Sequence, residues 1–323
     1  MAFTRRMILG AALAGAGALT ANRAHAQEWP ARTIKIIVPF GLGGSADVAA
    51  RYLAEQLRQA LNQTVVVENR PGAGAIIGTD AVAKSEPDGY TFLMMSNTHT
   101  ANETLLPNRP YVLLRDLAPV AAVNIAYNVL VVHPSVPANT LPELIALAKA
   151  DPGKLNYASS GPGTPYHMVG EIFRAMAGIQ VQHVPFRGSD QARNAIVAGT
   201  VQYMFDAIPT MSEQIRAGQV RGLATTGPKR SPMLPELPAV AETLPGFDGP
   251  IWLGLMAAAA TPKDIVEKMN AAVTKVMTSP ATRDYQARIG ADPMPMSAAE
   301  FEAFVKKDID TQRKWITDAK ITL

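Results

Sequence analysis

Ser159, Ser160, His167 and Asp206 supply the three side-chain types of a hydrolytic triad. No G-x-S-x-G surrounds either serine, so nothing sets a hydroxyl on a strained strand-to-helix elbow. Five histidines among the 323 residues show no H-E-x-x-H or other ligand spacing, and there is no cysteine to make a disulfide or a thiolate metal site. No metal is expected on these grounds, and the preferred reading of the chain calls for no other cofactor. Gly41-Leu42-Gly43-Gly44-Ser45-Ala46 is a stronger arrangement. It satisfies G-x-G-x-x-A, and Glu68 follows about twenty residues later, where a ribose-binding acid would stand. A dinucleotide-dependent oxidoreductase is one reading of it. A plain strand-to-helix turn is the second, and a carboxylate site is the third. A glycine loop that opens a helix turns free N–H groups and the positive end of the helix dipole toward one spot, which suits an anion.

The elements around these residues alternate. Apolar runs at 33–40, 64–68 and 90–95 read as strands, and helical patterns at 48–61 and 76–84 lie between them, the start of a doubly wound sheet. Ser45 and Asp47 open the first helix, and Asp47 is expected to brace that turn rather than meet an anion. Two short strands are expected at 119–123 and 128–133, with a polar break between them. The pattern then restarts with a strand at 154–159, a second glycine-rich loop at 160–165 and a helix at 166–177. Strands at 181–185, 202–206, 220–225 and 252–258 follow. Helices at 262–277, 281–289 and 298–319 close the chain. Ligands of open α/β sheets sit beyond the carboxyl ends of strands. That rule selects Ser96, Asn97 and Thr98 after the third strand, as donors to a carboxylate or as turn formers. It selects Ser159, Ser160, Gly163 and Thr164 in the second half, with His167 one turn further on. Arg187 is at a rim position where it would pair a distal acid group or be solvated. Asp206 ends a strand and is expected to hold a hinge or a water.

Arg5 and Arg6 precede an apolar stretch at 7–21, and Ala24-His25-Ala26 forms an A-x-A cleavage site before Gln27. Residues 1–26 therefore read as an export leader, and the paired arginines also fit a twin-arginine signal. The formal charge of +3 lies in that leader, which carries Arg5, Arg6 and Arg23 and no acid. Without it the chain has 27 basic and 27 acidic residues, which offers no basic face for nucleic acid.

Val38-Pro39-Phe40, Gly43-Gly44-Ser45 and Asp47 open a set of motifs that continues through Val65-Val66-Val67-Glu68-Asn69-Arg70-Pro71-Gly72-Ala73-Gly74 and Pro87-Asp88-Gly89-Tyr90-Thr91. His183-Val184-Pro185-Phe186-Arg187-Gly188, Met204-Phe205-Asp206 and Leu244-Pro245-Gly246-Phe247 carry it onward. In these residues the chain resembles the Bug (TctC-like) family, periplasmic solute-binding proteins of tripartite tricarboxylate transporters, over essentially all of the mature sequence. Leu42 stands where the family often has Pro or Ala, and Asp190-Gln191 replaces a common Ala-Pro.

The resemblance implies an α/β fold of type II periplasmic binding proteins, a two-domain clamshell whose domains are doubly wound, mostly parallel sheets flanked by helices. It places domain 1 at 27–127 with 252–323 and domain 2 at 128–251, with crossings near 126–129 and 249–252. It implies a non-enzymatic periplasmic receptor, monomeric, for a di-, tri- or aromatic carboxylate or an amino-acid-like acid. Delivery would be to a permease of large and small membrane subunits, although a periplasmic sensor serving a signalling partner would carry the same motifs. The expected ligand contacts are Phe40, Gly41, Leu42, Gly43, Gly44, Ser45 and Ala46 in the first loop; Ser96, Asn97 and Thr98; Ser159, Ser160, Gly163, Thr164 and His167; and Phe186, Arg187, Gly188 and Asp206. Glu68 to Gly74 is read as structural, with Arg70 tying its loop.

Overall fold

The structure, a computed structural model, describes residues 29–322. The leader assigned to residues 1–26 lies outside them. The compact unit begins at Arg32.

The buried strand β1 (Ile34–Val38) runs into helix α1 (Ser45–Leu61), whose buried stripe Ala46, Ala49, Ala50, Leu53, Ala54 and Leu57 recurs at helical spacing. Asn62 ends α1 in a left-handed conformation, its N–H bonded to the Arg58 carbonyl. β2 (Val65–Asn69), α2 (Ile76–Ala83) and β3 (Thr91–Ser96) complete the first unit, and β1 pairs parallel with both β2 and β3. The residues after β3 form a helix, α3 (Asn97–Leu105), where a turn was expected. Ser96 caps it by accepting from the Thr98 N–H, and the His99 ring accepts from the Ser96 N–H, so one box satisfies two donors.

After a single turn, α4 (Leu113–Asp116), comes β4 (Leu117–Val132), one unbroken strand of 16 residues in place of the two expected. The polar residues in and beside the expected break find partners inside the fold. Asn124 donates to Gln286, and Asn128 donates through its side chain to the Gly249 carbonyl and through its backbone to Thr226. The second unit comprises α5 (Leu141–Ala150), β5 (Asn156–Ser159), α6 (Pro165–Ala177), β6 (Gln182–Pro185), α7 (Ser189–Val197), β7 (Tyr203–Ala207), α8 (Ile208–Arg216) and β8 (Arg221–Thr225). A long connection then leads to β9 (Pro250–Ala258), α9 (Lys263–Thr278), α10 (Pro280–Ile289), β10 (Ala291–Pro293) and α11 (Ala298–Asp318).

The strands lie in the order β2-β1-β3-β9-β4-β7-β5-β6, with β8 and β10 also on β4. Parallel pairing is confined to the outer trios, β2-β1-β3 and β7-β5-β6. The returning strands β4 and β9 pair antiparallel with each other and with the trios. The sheet is therefore mixed rather than mostly parallel, because its middle is built by strands that cross between the halves. We call the two trios with their helices the wings. One core cluster packs Trp252, Phe301 and Val305 with β3 residues, and another packs Tyr157, Phe173, Tyr203 and Phe205. α11 reaches both, since Ile316 and, just past its end, Ile321 join the second cluster.

Candidate ligand-binding site

A cavity of about 530 Å³ opens where the strand ends of both wings meet. Five helices begin on its wall. Gly44, Ala75, Ser96, Thr164 and Gly188, which line it, are the N-terminal caps of α1, α2, α3, α6 and α7. Only Ser96 caps with its own side chain, so the first turns of the other four helices keep N–H groups that the chain does not satisfy in that way. Each terminus carries roughly half a positive charge. Among the described residues, Arg187 is the one charged residue in the wall, and no carboxylate lines it. The remainder is largely apolar and includes Pro39, Phe40, Phe186 and, from β9, Ile251 and Leu253.

The first loop is held from behind. Gly43 adopts φ +69°, and its N–H donates to Asp47 at 3.0 Å. Asn69 donates to the same carboxylate at 2.9 Å and to the Phe40 carbonyl at 3.2 Å. Burial acts to raise the Asp47 pKa, but Arg51, the Gly43 N–H and Asn69 together bring it below the ordinary carboxylate value. Asp47 is thus a brace. Gly44 is extended, with φ −80°. Its need for hydrogen at Cα is spatial, because a Cβ there would come within 3.1 Å of Ser189 Oγ. A Cβ on Gly41 would stand 3.0 Å from the Gly188 Cα. The loops of the two wings therefore touch backbone to backbone.

In the second wing the corresponding loop rests on a buried polar cluster. Ser159 Oγ lies 2.6 Å from His183 Nε2 and accepts from the Gly161 N–H. His167 accepts from the Gly163 N–H at 3.1 Å and packs on His183 with ring centroids 4.2 Å apart. Burial, then the neighbouring His167, drives the His183 pKa down to about 4, and burial likewise lowers that of His167. Two neutral rings therefore support the loop. Asp206, wholly buried, pairs with Arg193 at 2.9 Å.

Of the residues selected from sequence, the cavity brings together Phe40, Gly41, Gly44, Ser45, Ala46, Ser96, Ser160, Thr164, Phe186, Arg187 and Gly188. The others stand elsewhere. Leu42 points outward, with 57% of its surface exposed. Gly43, Ser159, Gly163 and His167 form the supports just described. Asn97 donates to the Pro250 carbonyl, and Thr98 is fully buried behind Ser96. Asp206 lies outside the cavity wall, where it accepts from Arg193, Ala207 and Thr210. The triad types are accordingly dispersed, with Ser159, His167 and Asp206 each taken by a different partner. The dinucleotide reading loses its acid as well, because Glu68 is bound by Lys35 at 2.9 Å and by Arg70.

The sequence reading missed Pro71 to Gly74, which it took as structural, and Ala75, which it did not single out; all five line the cavity. This stretch has positive φ at Gly72, Ala73, Gly74 and Ala75, and for the two alanines that backbone is strained. Its place at the end of the strand beside β1, on the same rim as the first loop, was the available signal. Tyr166, one residue before His167, and Ser189, one residue after Gly188, were also missed. Ile251 and Leu253 gave no signal, since an apolar strand residue facing a cavity reads like one facing a core.

A family model described as "Tripartite tricarboxylate transporter family receptor" matches residues 49–321. A protein encoded in the tcbD-tcbE intergenic region of Pseudomonas sp. strain P51 is 38% identical over 281 residues, which cover 85% of this chain and 82% of that one. Protein BugT of Bordetella pertussis is 37% identical over 305 residues, covering 94% and 93% respectively. Among solved structures, an R. palustris protein with adipate superposes with a TM-score of 0.89 at 32% identity, covering 91% of this chain and 99% of that one. MatC of Rhodopseudomonas palustris with bound malate gives 0.85 at 30% identity, covering 89% and 100%.

Proposed function

Because the chain belongs to the receptor family of tripartite tricarboxylate transporters, whose members are periplasmic binding proteins and not enzymes, we propose that it captures a small carboxylate in this cavity and delivers it to a permease of large and small membrane subunits. The observation that carries the reading is the convergence of five helix N-termini on a cavity whose one charged side chain, among the described residues, is Arg187. An anion gains there, and a cation finds no partner. Relatives solved with adipate and with malate support the same class of ligand.

The ligand's carboxylate lies against the Gly44-Ser45-Ala46 turn, with Ser96, Ser160 and Thr164 as side-chain donors. Arg187 takes a second acid group where there is one. Phe40, Phe186, Ile251 and Leu253 cover the carbon body. The lobes divide within β4 at 127–128 and again at 251–252, at the start of β9, and they hinge there on the ligand. Residues 1–26 act as a leader that takes the chain to the periplasm, so the exported protein begins at Gln27, which N-terminal sequencing would read. No helix among the described residues is long and apolar enough to cross a membrane.

A thermal-shift and calorimetry screen of adipate, malate, citrate and benzoate tests the proposal. A ligand at 100 times its dissociation constant adds about 2.7 kcal/mol to stability. No shift with any carboxylate would refute it.

A further inference from the structure

We propose that Arg193 is a strut between the wings, a positioning residue that sets ligand affinity without touching the ligand. The inference rests on the receptor reading above. Arg193 lies on α7, outside the cavity wall. Its Nη1 donates to Asp206 Oδ2 at 2.9 Å within its own wing, and its Nη2 donates across to the Gly43 carbonyl at 2.7 Å. The Arg193 side chain is 13% exposed and that of Asp206 is fully buried.

Both ends of this link are built. Asp206 accepts the Ala207 N–H at 2.8 Å and the Thr210 hydroxyl at 3.1 Å, so its carboxylate is fixed before Arg193 meets it. Thr210 and Ala207 bind one oxygen and Arg193 the other. A guanidinium held this way points its second nitrogen in one direction. Gly43 adopts φ +69°, and a Cβ on it would come within 3.0 Å of Arg193 Nη2. The glycine therefore provides both a backbone turn and the space the strut occupies. Gly43 lies within the first loop and precedes Gly44, whose carbonyl accepts the first helical bond of α1 from the Val48 N–H.

The consequence follows from where each bond resides. The pair with Asp206 lies inside one wing and persists when the wings part. The bond to Gly43 exists only while they are together, so it weights the closed form in which a ligand is held. Its loss lowers the affinity for every ligand by one common factor. A wall residue would instead alter the ranking of ligands.

Arg193→Ala alone would leave Asp206 buried and unpaired, a defect large enough to unfold a protein. The informative variants are Arg193→Lys, whose ammonium cannot fork to both acceptors, and the double variant Arg193→Met with Asp206→Asn, which removes the buried charges together. Calorimetry and stopped-flow measurements use adipate, malate, citrate and benzoate as probes. For the double variant, every probe that the wild type binds should weaken by the same factor, about 10- to 100-fold for one charge-assisted hydrogen bond. The loss should lie in a faster off-rate, with Arg193→Lys between wild type and the double variant. Unchanged affinity in the folded double variant overturns the strut, and so do losses that differ from probe to probe. If the wild type binds none of the four, the carboxylate reading fails and the strut is judged separately. Amide exchange in the peptide spanning 41–50 of the ligand-free protein should then be about tenfold faster in the double variant, and equal rates overturn it.

Discussion

Asp308 on α11 is partly buried against α3, where the Thr100 hydroxyl donates to it at 2.5 Å. Burial pushes its pKa from 3.8 up to about 6, and the donors around it, Thr100 first, only partly offset that. A carboxyl with its folded pKa raised contributes stability that is fully present below the unfolded value and is lost as pH rises through the folded one. At about 1.4 kcal/mol per pH unit, the move from 3.8 to about 6 is worth about 3 kcal/mol in all. About 2 kcal/mol of that falls between roughly pH 4.5 and pH 7.5. The perturbation is Asp308→Asn, which keeps the shape and removes the titration. His99, wholly buried, and His183 are both held down to about 4, so their contributions are lost as pH falls, in the opposite sense. The comparison is therefore variant against wild type at each pH, by urea unfolding. The variant should be better off relative to wild type at the higher pH by about 2 kcal/mol. A gap of equal size at both pH values, or a larger one in acid, would refute the reasoning that Asp308 is buried at a cost when ionised.

Two further outcomes follow from close approaches of backbone and side chain. Gly44→Val should abolish carboxylate binding while the protein stays folded, because its Cβ meets Ser189 Oγ at 3.1 Å and its methyls enter the cavity; Ser45→Ala should weaken binding by only about 1 kcal/mol, and calorimetry with full-strength binding by folded Gly44→Val would remove this loop from the site. Gly254→Ala would place a Cβ 2.2 Å from Phe301 Cζ, deep in the first core, and should cost about 1–3 kcal/mol in urea unfolding for the shift it forces; a loss below about 0.5 kcal/mol would show that Phe301 gives way freely.

The parts of the fold legible in the sequence are those whose signals are local. The β1 run, the glycine loop and the α1 stripe are contiguous, and each was readable where it stands. β4 was read as two strands because the stretch between 123 and 128, opened by Asn124, looks like a break until the partners of Asn124 and of the neighbouring Asn128, at Gln286, Thr226 and Gly249, are known. Those partners lie roughly a hundred or more residues away, and no window along the chain contains both ends. The helix after β3 was missed for a different reason. Its capping box uses histidine at the position where Glu or Gln is the usual sign. In the site, the rule about strand ends found the rims but not the depth of each residue. Ser96 and Thr98 are two positions apart, and one lines the cavity while the other is sealed behind it. Asp206 was placed at a hinge or a water because Arg193, mid-helix in a polar run, carried no signal of its own.

The position of β9 between β3 and β4 also imposes an order of assembly. A chain emerging N-terminus first presents β1 to β4 while the strand that pairs with the edges of β3 and β4 lies more than a hundred residues downstream. At usual rates of synthesis that interval is on the order of ten seconds, during which two strand edges lack their partner. The α5 to β8 segment meets no such delay, since β5, β6 and β7 pair with near neighbours. Its core nevertheless waits for Ile316 and Ile321 at the far end of α11. Neither core is finished until α11 has appeared, so a chain that stops before it leaves both cores open to chaperones and proteases.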